Sequence, residues 1–269
     1  LDVLTMEEAK KDNRPVELVY YVGCMASFDE RSQKVAKALV KVLQAADIKF
    51  AILGKEEGCN GDSARRLGNE YLFQQLAQYN VDKFKEYDVK TLLTACPHCH
   101  NTLKNEYPQF GGNYTVLHHS EFIMDLLKQG KIQVTKAFED VIYHDSCYLG
   151  RYNGIYEQPR VIIDLLSTNG VKEFERNREN GFCCGAGGGR MWMEEKIGER
   201  INEDRVTEGL RENPKVIASG CPFCLTMMKD GVDAQGKTAE VATMDIAELV
   251  AQALVIKDSD ATGDKATIA

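Results

Sequence analysis

Apolar residues along the first part of the chain follow two alternating spacings. Residues 16–22 and 49–53 are short apolar runs rich in β-branched and aromatic side chains, which predicts two strands. Residues 30–46 and 64–79 carry apolar side chains at helical spacing, and residues 90–94 form a third apolar run. The order strand, helix, strand, helix, strand predicts an α/β unit whose parallel strands are joined by right-handed crossovers.

The second part of the chain repeats the first. Four pairs of cysteines are separated by 123, 124, 125 and 125 residues, and these pairs are Cys24 with Cys147, Cys59 with Cys183, Cys96 with Cys221, and Cys99 with Cys224. The flanking apolar runs agree as well, and residues 115–117 align with residues 240–242 before a further helical pattern. A repeat of this length indicates a duplicated domain, because solenoid repeats have periods of about 20–50 residues.

We therefore predict a tandem duplication of a small parallel-sheet α/β domain. Residues 16–138 would form the N-terminal cysteine-rich domain and residues 139–256 its C-terminal copy, with a leader segment at residues 1–15 and a tail at residues 257–269. Functional loops of parallel sheets lie beyond the carboxyl ends of the strands. Because the cysteines follow predicted strands, each domain should gather its thiols at that edge of its sheet.

Nine thiols in one chain call for an explanation, and an odd number is a poor basis for a disulfide framework. Metal or cluster ligation explains them better. The first domain offers Cys24, Cys59, Cys96 and Cys99, and the second offers Cys147, Cys183, Cys184, Cys221 and Cys224. Four thiolates suit a tetrahedral zinc ion or a [4Fe–4S] cluster, whereas five exceed what either requires.

The two domains differ at one informative position. Cys183 and Cys184 are adjacent and are followed by Gly185, but Asn60 stands where the first domain would need its fifth cysteine. This difference predicts that the domains share a fold but hold different metal centres. Structural zinc with one spare buried thiol is the plainer alternative for the second domain, and zinc and an iron–sulfur centre both stay open for the first.

Four further residues are candidates for shaping these sites. Gly185 permits close backbone packing, and the cationic Arg190 can offset the negative charge of a thiolate-bound group. His144 and His100 lie close to cysteines in the sequence, so each can donate a hydrogen bond or move a proton there, although a satisfied polar residue is the plainer interpretation. No catalytic residue is predicted, and residues 191–193 are predicted to be core of the following helix.

Charge and hydropathy exclude two classes of partner. A formal net charge of −8 and the lack of a basic stretch argue against a nucleic-acid partner. The sequence contains no run of 18 apolar residues, and residues 1–15 are charged, as a secretory leader would not be. We expect a cytoplasmic protein that meets a membrane only indirectly, through a partner.

The cysteine pattern resembles a known family. Cys147, then Cys183-Cys184-Gly185, then Cys221-Pro222-Phe223-Cys224 is similar to the CCG cysteine-rich domain, which occurs twice in one of the subunits of heterodisulfide reductase. Related pairs occur in the iron–sulfur subunits of glycolate oxidase, lactate utilisation and anaerobic glycerol-3-phosphate dehydrogenase. Residues 56–62 and 95–108 resemble the C-terminal part of iron–sulfur oxidoreductases that accompany acyl-CoA dehydrogenases and electron-transfer flavoprotein.

The resemblance implies an iron–sulfur electron-transfer subunit that relays electrons between a flavoprotein and a downstream acceptor. It implies a noncubane [4Fe–4S] cluster on the five cysteines of the second domain, and a second iron–sulfur cluster or zinc on the four of the first. Disulfide reduction of the heterodisulfide reductase type and a zinc-stabilised interaction scaffold are the alternatives. Longer relatives also carry a ferredoxin-like segment with CxxCxxC ligands, which another segment or subunit would have to supply.

Overall fold

Each half of the chain contains a parallel four-stranded sheet in the computed structural model, which describes residues 2–193 and 198–255. The strands are β1 (Leu18–Tyr20), β2 (Phe50–Ala51), β3 (Thr91–Thr94), β4 (Thr115–His118), β5 (Val141–His144), β6 (Val171–Glu173), β7 (Val216–Ser219) and β8 (Ala242–Asp245). The first sheet has the order β2-β1-β3-β4 and the second the order β6-β5-β7-β8. The matching orders confirm the predicted α/β fold and its tandem duplication.

Helices connect the strands and cover the sheets. Those of the first half are α1 (Met6–Lys11), α2 (Gly23–Phe28), α3 (Glu30–Ala45), α4 (Asp62–Arg66), α5 (Glu70–Glu86), α6 (Pro97–Asn101) and α7 (His119–Lys128). Those described in the second half are α8 (Glu157–Leu166), α9 (Ile201–Leu210), α10 (Pro222–Ala234) and α11 (Ile246–Ala253). Within residues 2–193 and 198–255, no helix has the length and apolarity needed to cross a membrane.

The central strands β1, β3, β5 and β7 are buried on both faces, as expected for parallel strands between layers of helices. Val19 and Leu92 belong to one apolar cluster, whereas their strand neighbours Leu18 and Leu93 belong to the other. Each cluster also contains strand residues of the second half, such as Ile142 in the first cluster. The two halves therefore share continuous apolar cores and pack as one body.

The second predicted helix of the first half differs from the sequence prediction. The helix predicted at residues 64–79 is divided into α4 and α5 at Gly68, which has a φ of +88°, and Asn69 then caps α5 by accepting from the Leu72 N–H. Glycine adopts that conformation without strain, so the chain turns there. The amide caps the new helix, as asparagine commonly does.

The last strand of the repeat is shifted by two residues relative to the predicted alignment. Leu92 pairs with Val116 in the first sheet, and Ile217 pairs with Thr243 in the second. The separations are 217 − 92 = 125 and 243 − 116 = 127, so residues 115–117 do not correspond to residues 240–242. The longer connection through α10 adds the two residues.

The predicted leader segment contains α1 and packs on the first half. Thr5 and Glu8 form a capping box at the start of the helix, and Met6 and Ala9 are buried. Thr5 also forms a parallel bridge with Ile52, beyond the end of β2. The predicted tail, residues 257–269, lies outside the described residues.

Buried polar residues join the two halves where β4 and β8 end. His119 Nε2 donates to Asp245 Oδ1 at 2.9 Å, and both side chains are fully buried. His118 Nε2 lies 3.0 Å from the Gly220 carbonyl oxygen, and Asp245 also accepts from the Ala247 N–H at 2.8 Å. These bonds hold the start of α11 and the loop before Cys221 against the first half.

We expect His119→Ala to destabilise the whole protein. The substitution leaves the Asp245 side chain buried without its imidazole donor, which typically costs about 1–3 kcal/mol. Denaturant unfolding of the metal-free protein measures the change in the free energy of unfolding. Lys90→Ala is the control, because its ion pair with Asp88 is exposed and should contribute less than about 1 kcal/mol. Equal effects of the two substitutions would contradict the interface role of His119.

Candidate metal centres

The thiols lie where strands of the two sheets end. In the first half Cys24 lies in α2 just after β1, Cys59 lies in the loop after β2, and Cys96 follows β3. In the second half the corresponding loops follow β5, β6 and β7 and carry Cys147, the adjacent pair Cys183 and Cys184, and Cys221. Parallel strands end at one edge of a sheet, so cysteines that are distant in sequence converge.

Each CxxC motif begins a helix in the same way. Cys96 is the residue before α6 and Cys221 is the residue before α10, and a proline occupies the first helical position in both. Proline is favoured there because its missing N–H would have had no partner within the helix. The second cysteine follows one turn later, so its thiol lies on the same side of the helix as the first.

The five thiols of the second half form one continuous group. The Cys183 thiol is hydrogen-bonded to those of both Cys147 and Cys184, Cys184 is bonded to Cys224, and Cys224 is bonded to Cys221. Cys184, Cys221 and Cys224 are buried, whereas Cys147 and Cys183 are half-buried. The two half-buried thiols therefore form the solvent side of this group.

Gly185 allows the backbone to turn sharply after the cysteine pair. Its φ is +91°, and its N–H donates to the Cys183 Sγ at 3.2 Å. A Cβ at this position would lie 3.2 Å from the Ile201 Cβ and 3.3 Å from the Met227 Cε. A larger residue would combine backbone strain with crowding, so glycine supplies both the turn and a donor to a thiol.

His144 also lies at the second group of thiols. One of its ring nitrogens and the Sγ atoms of Cys184 and Cys224 all lie within 4.8 Å of one another. Arg205 donates from Nε to His144 Nδ1 at 3.1 Å. Burial lowers the pKa of His144 to about 4, with a further contribution from the Arg205 charge, so the imidazole is neutral at pH 7.

Arg205 is a buried cation that the sequence did not single out. It is fully buried in α9, its guanidinium lies 3.7 Å from the Phe174 ring centroid, and its Nη1 donates to Glu208 at 3.0 Å. In the sequence it is one of 33 lysines and arginines, and only the fold places it beside His144.

Four thiols of the first half line one cavity. Cys24 and Cys59 are exposed and hydrogen-bonded to each other, whereas Cys96 and Cys99 are buried and hydrogen-bonded to each other. The bond from Cys24 lowers the pKa of Cys59 to about 6, and the Gly61 N–H adds to the shift. The first half thus also offers a set of converging sulfur ligands.

Asn60 lines the same cavity but makes hydrogen bonds within its own loop. Its Oδ1 accepts from the Asp62 N–H at 2.8 Å, and its backbone carbonyl accepts from the Tyr107 hydroxyl at 3.0 Å. Such a side-chain turn is a common use of asparagine before a helix. The amide therefore stabilises the loop that enters α4, at the position where the second half carries Cys184.

The two groups of thiols meet at the interface between the halves. The Cys96 thiol is hydrogen-bonded to the Cys221 thiol, and His98 is hydrogen-bonded to Cys221 as well. His98 Nδ1 lies 2.8 Å from Asp62 Oδ2. Burial lowers the pKa of His98, but its bonds to Asp62 and Cys221 outweigh this effect and raise the pKa to about 10. The place of His98 inside a CxxC motif already indicates from the sequence that it lies close to thiols.

His100 and Arg190 are the two predicted residues that remain. His100 is buried and faces His118 and Glu121, with its Nε2 3.6 Å from Glu121 Oε2, and among the described contacts it has none with a thiol. Burial lowers its pKa to about 4. Arg190 is exposed. The prediction that residues 191–193 are core was wrong for Trp192, which is 66% exposed, and for Met193, which is 53% exposed, whereas Met191 is partly buried against the core.

Comparison with known proteins agrees with this geometry. A probable iron–sulfur-binding oxidoreductase, FadF, of Bacillus subtilis is 48% identical over 258 residues, which are 96% of this chain and 37% of that protein. The EtfAB:quinone oxidoreductase of Syntrophomonas wolfei is 47% identical over 252 residues, 91% of this chain and 35% of that protein. This chain thus spans about a third of the length of these two relatives.

A third relative is shorter. It is a component of the dihydromethanophenazine:CoB–CoM heterodisulfide reductase of Methanosarcina barkeri, and it is 34% identical over 250 residues, which are 90% of this chain and 60% of that component. The family model of the CCG cysteine-rich domain matches residues 18–104 and again residues 141–229. Both matched segments include the cysteine loops of their half, and the chain belongs to the CCG cysteine-rich domain family.

Proposed function

We propose that this chain is the iron–sulfur electron-transfer part of an oxidoreductase. The observation that carries the proposal is the convergence of nine thiols into two groups that touch at Cys96 and Cys221. Thiolates are the ligands that iron–sulfur clusters prefer, and a pair of neighbouring centres suits the passage of electrons.

The donor sets fit the groups that the family resemblance implies. Cys147, Cys183, Cys184, Cys221 and Cys224 would hold a noncubane [4Fe–4S] cluster, since a fifth thiol exceeds what zinc or a cubane requires. Cys24, Cys59, Cys96 and Cys99 would hold a second iron–sulfur cluster or a zinc ion. A bound cluster supplies reversible one-electron chemistry, which side chains alone do not offer.

The protein's own residues orient the thiolates and set their surroundings. Gly185 and Gly61 place backbone N–H groups on Cys183 and Cys59, and such donors stabilise a thiolate. The four-thiol site would belong to the proposed domain of residues 16–138, and the five-thiol site to the proposed domain of residues 139–256. Cys184, Cys221 and Cys224 are the buried thiols of the second site, so solvent molecules have little access to replace them as ligands.

The partners follow from the chemistry of the relatives. Two-electron carriers such as flavins need a one-electron acceptor to pass electrons onward singly, and the relative from Syntrophomonas is named as acting between EtfAB and quinone. We infer a flavoprotein, either a dehydrogenase or an electron-transfer flavoprotein, on one side and a further acceptor on the other. A ferredoxin-like subunit or segment would complete the path. Any attachment to the cytoplasmic face of a membrane would come through a partner.

Disulfide reduction is a second candidate function. Cys24 and Cys59 are exposed and Cys147 and Cys183 are half-buried, so a small disulfide could approach either site. The reaction would consume two electrons and two protons and release two thiols. Turnover of a thiol disulfide with reduced methyl viologen by the cluster-loaded protein would support this function. If the clusters are intact but no disulfide is reduced, electron relay is the only one of the two functions that stands.

We expect Cys184→Ser to abolish the iron signature of the second site. The substitution removes a buried ligand, whereas Asn60→Ser changes the corresponding position of the first half without removing a thiol. Anaerobically purified proteins are compared by iron, zinc and sulfide analysis and by electron paramagnetic resonance after oxidation and after reduction with dithionite.

The matched pair separates the alternatives. A lost or converted signal in the Cys184→Ser protein, together with a wild-type signal in Asn60→Ser, supports the cluster on five thiols. A zinc-only wild-type protein with no visible absorption or paramagnetic signal would refute the electron-transfer function. Metal content that is unchanged by Cys184→Ser would instead favour the zinc-stabilised scaffold.

We also expect the cluster-loaded protein to accept electrons singly from a reduced flavin. Photoreduced flavin mononucleotide releases two electrons and two protons as it is oxidised, and each electron would reduce one iron–sulfur cluster, either in the same protein or in a second protein molecule. Stopped-flow absorption at visible wavelengths follows both bleaching of the centres and reoxidation of the flavin. A protein with intact clusters that neither free flavin nor reduced viologen can reduce would contradict the relay.

A further inference from the structure

The middle residues of the two CxxC motifs face each other across the interface. The residue before the second cysteine is His98 in the first half and Phe223 in the second, and their ring centroids are 4.8 Å apart. His98 lines the cavity of the first half's four thiols together with Phe223, but it is also hydrogen-bonded to Cys221 of the second site. Each half therefore places a side chain beside the other half's site. The first half supplies an imidazole that can donate a hydrogen bond, and the second half supplies an apolar phenyl ring.

The His98 ring is held in place from two sides. Its Nδ1 lies 2.8 Å from Asp62 Oδ2, and its face stacks on Tyr148 with 4.2 Å between centroids and 27° between planes. Asp62 is itself fixed by Arg66, whose Nε donates to it at 3.1 Å. With Nδ1 donating to the carboxylate, the other ring nitrogen is left to donate to the Cys221 thiolate, because a thiolate only accepts.

The phenyl ring of Phe223 has no such capacity. It is buried beside Pro222 and presents only carbon atoms to the first site. Both CxxC motifs thus begin a helix with proline, but the second site receives a donor from the first half, and the first site receives an apolar side chain from the second. The two sites consequently differ in their surroundings as well as in their number of thiols.

We propose that His98 is a positioning residue of the second site, so that the first half controls the metal affinity and the reduction potential of the second. The redox part of this inference rests on the proposed function. A hydrogen bond donated to a ligand thiolate offsets negative charge, which stabilises the reduced state and raises the potential. Hydrogen-bonding partners of metal ligands also contribute about 10–100-fold to metal affinity.

The test replaces His98 with the residue that the second half uses. His98→Phe keeps an aromatic ring against Tyr148 but removes the donor, and His98→Gln keeps a donor without the ring. Tyr152→Leu is the packing control, because Tyr152 stacks on the far side of Tyr148 at 4.6 Å and is 62% exposed. The signal of the second site is identified as the one that Cys184→Ser removes.

Two quantities are measured on each protein. In His98→Phe we expect a chelator to extract the metal of the second site about tenfold faster. We also expect the ratio of oxidised to reduced second site, at a fixed potential in a dithionite titration, to rise about tenfold, which is 59 mV for a one-electron couple. His98→Gln should recover much of both losses, and Tyr152→Leu should match the wild-type protein.

The outcomes separate this inference from the proposed function. The extraction rate can be read whether the site holds iron or zinc, so a zinc protein would refute the electron-transfer function and still test His98. In metal-free protein, a ¹⁵N chemical shift of the His98 ring that changes on Cys221→Ala reports the contact itself. Wild-type extraction and potential in His98→Phe, or equal losses in His98→Phe and His98→Gln, would overturn the positioning role.

Discussion

The contact between the beginnings of the two CxxC helices is the constraint on which the rest of the structure depends. Cys96 and Cys221 each precede a helix that starts with proline, and their thiols meet at the interface. Apolar clusters that contain strands of both halves fix this arrangement, together with the buried bond between His119 and Asp245. Because neither cluster belongs to one half alone, the two sites cannot move apart without exposing core.

Buried charge around the second site is arranged in pairs. Arg160 binds the Asp145 carboxylate through both Nη atoms at 2.8 Å, and Asp145 also accepts from the Arg178 N–H in the loop that leads to Cys183. Bidentate pairs of this kind fix geometry as well as charge. The loop that carries the adjacent cysteines is therefore tied to the end of β5 through Asp145. Arg205 adds a second buried cation next to His144.

The two halves illustrate how a duplicated fold can acquire two different sites. Each CxxC motif begins a helix with proline, yet Asn60 binds its own loop where Cys184 reaches Cys224, and His98 offers a donor where Phe223 offers carbon. These substitutions change the ligand number and the surroundings while the sheet order is unchanged. Differences in thiolate number, hydrogen bonding and burial are the factors that set the potentials of iron–sulfur centres.

The sequence by itself determined the duplication, the parallel α/β architecture and the grouping of cysteines at strand ends. Those features depend on apolar periodicity and on residue spacing, which are local and repeat along the chain. It missed the break at Gly68 and the two-residue shift of the last strand, because the turn conformation and the strand register depend on neighbours that are distant in sequence.

Only the tertiary structure decided which side chains surround the thiols. Arg205 from α9 lies against His144, and no feature of the sequence singled it out. His98 and His100 are two residues apart on α6 and therefore lie on different faces of it. His100 meets Glu121, whereas His98 meets Asp62 and, across the interface, Cys221. The partners on each face depend on the elements that pack against it, and the contact with Cys221 exists only after the two halves have come together.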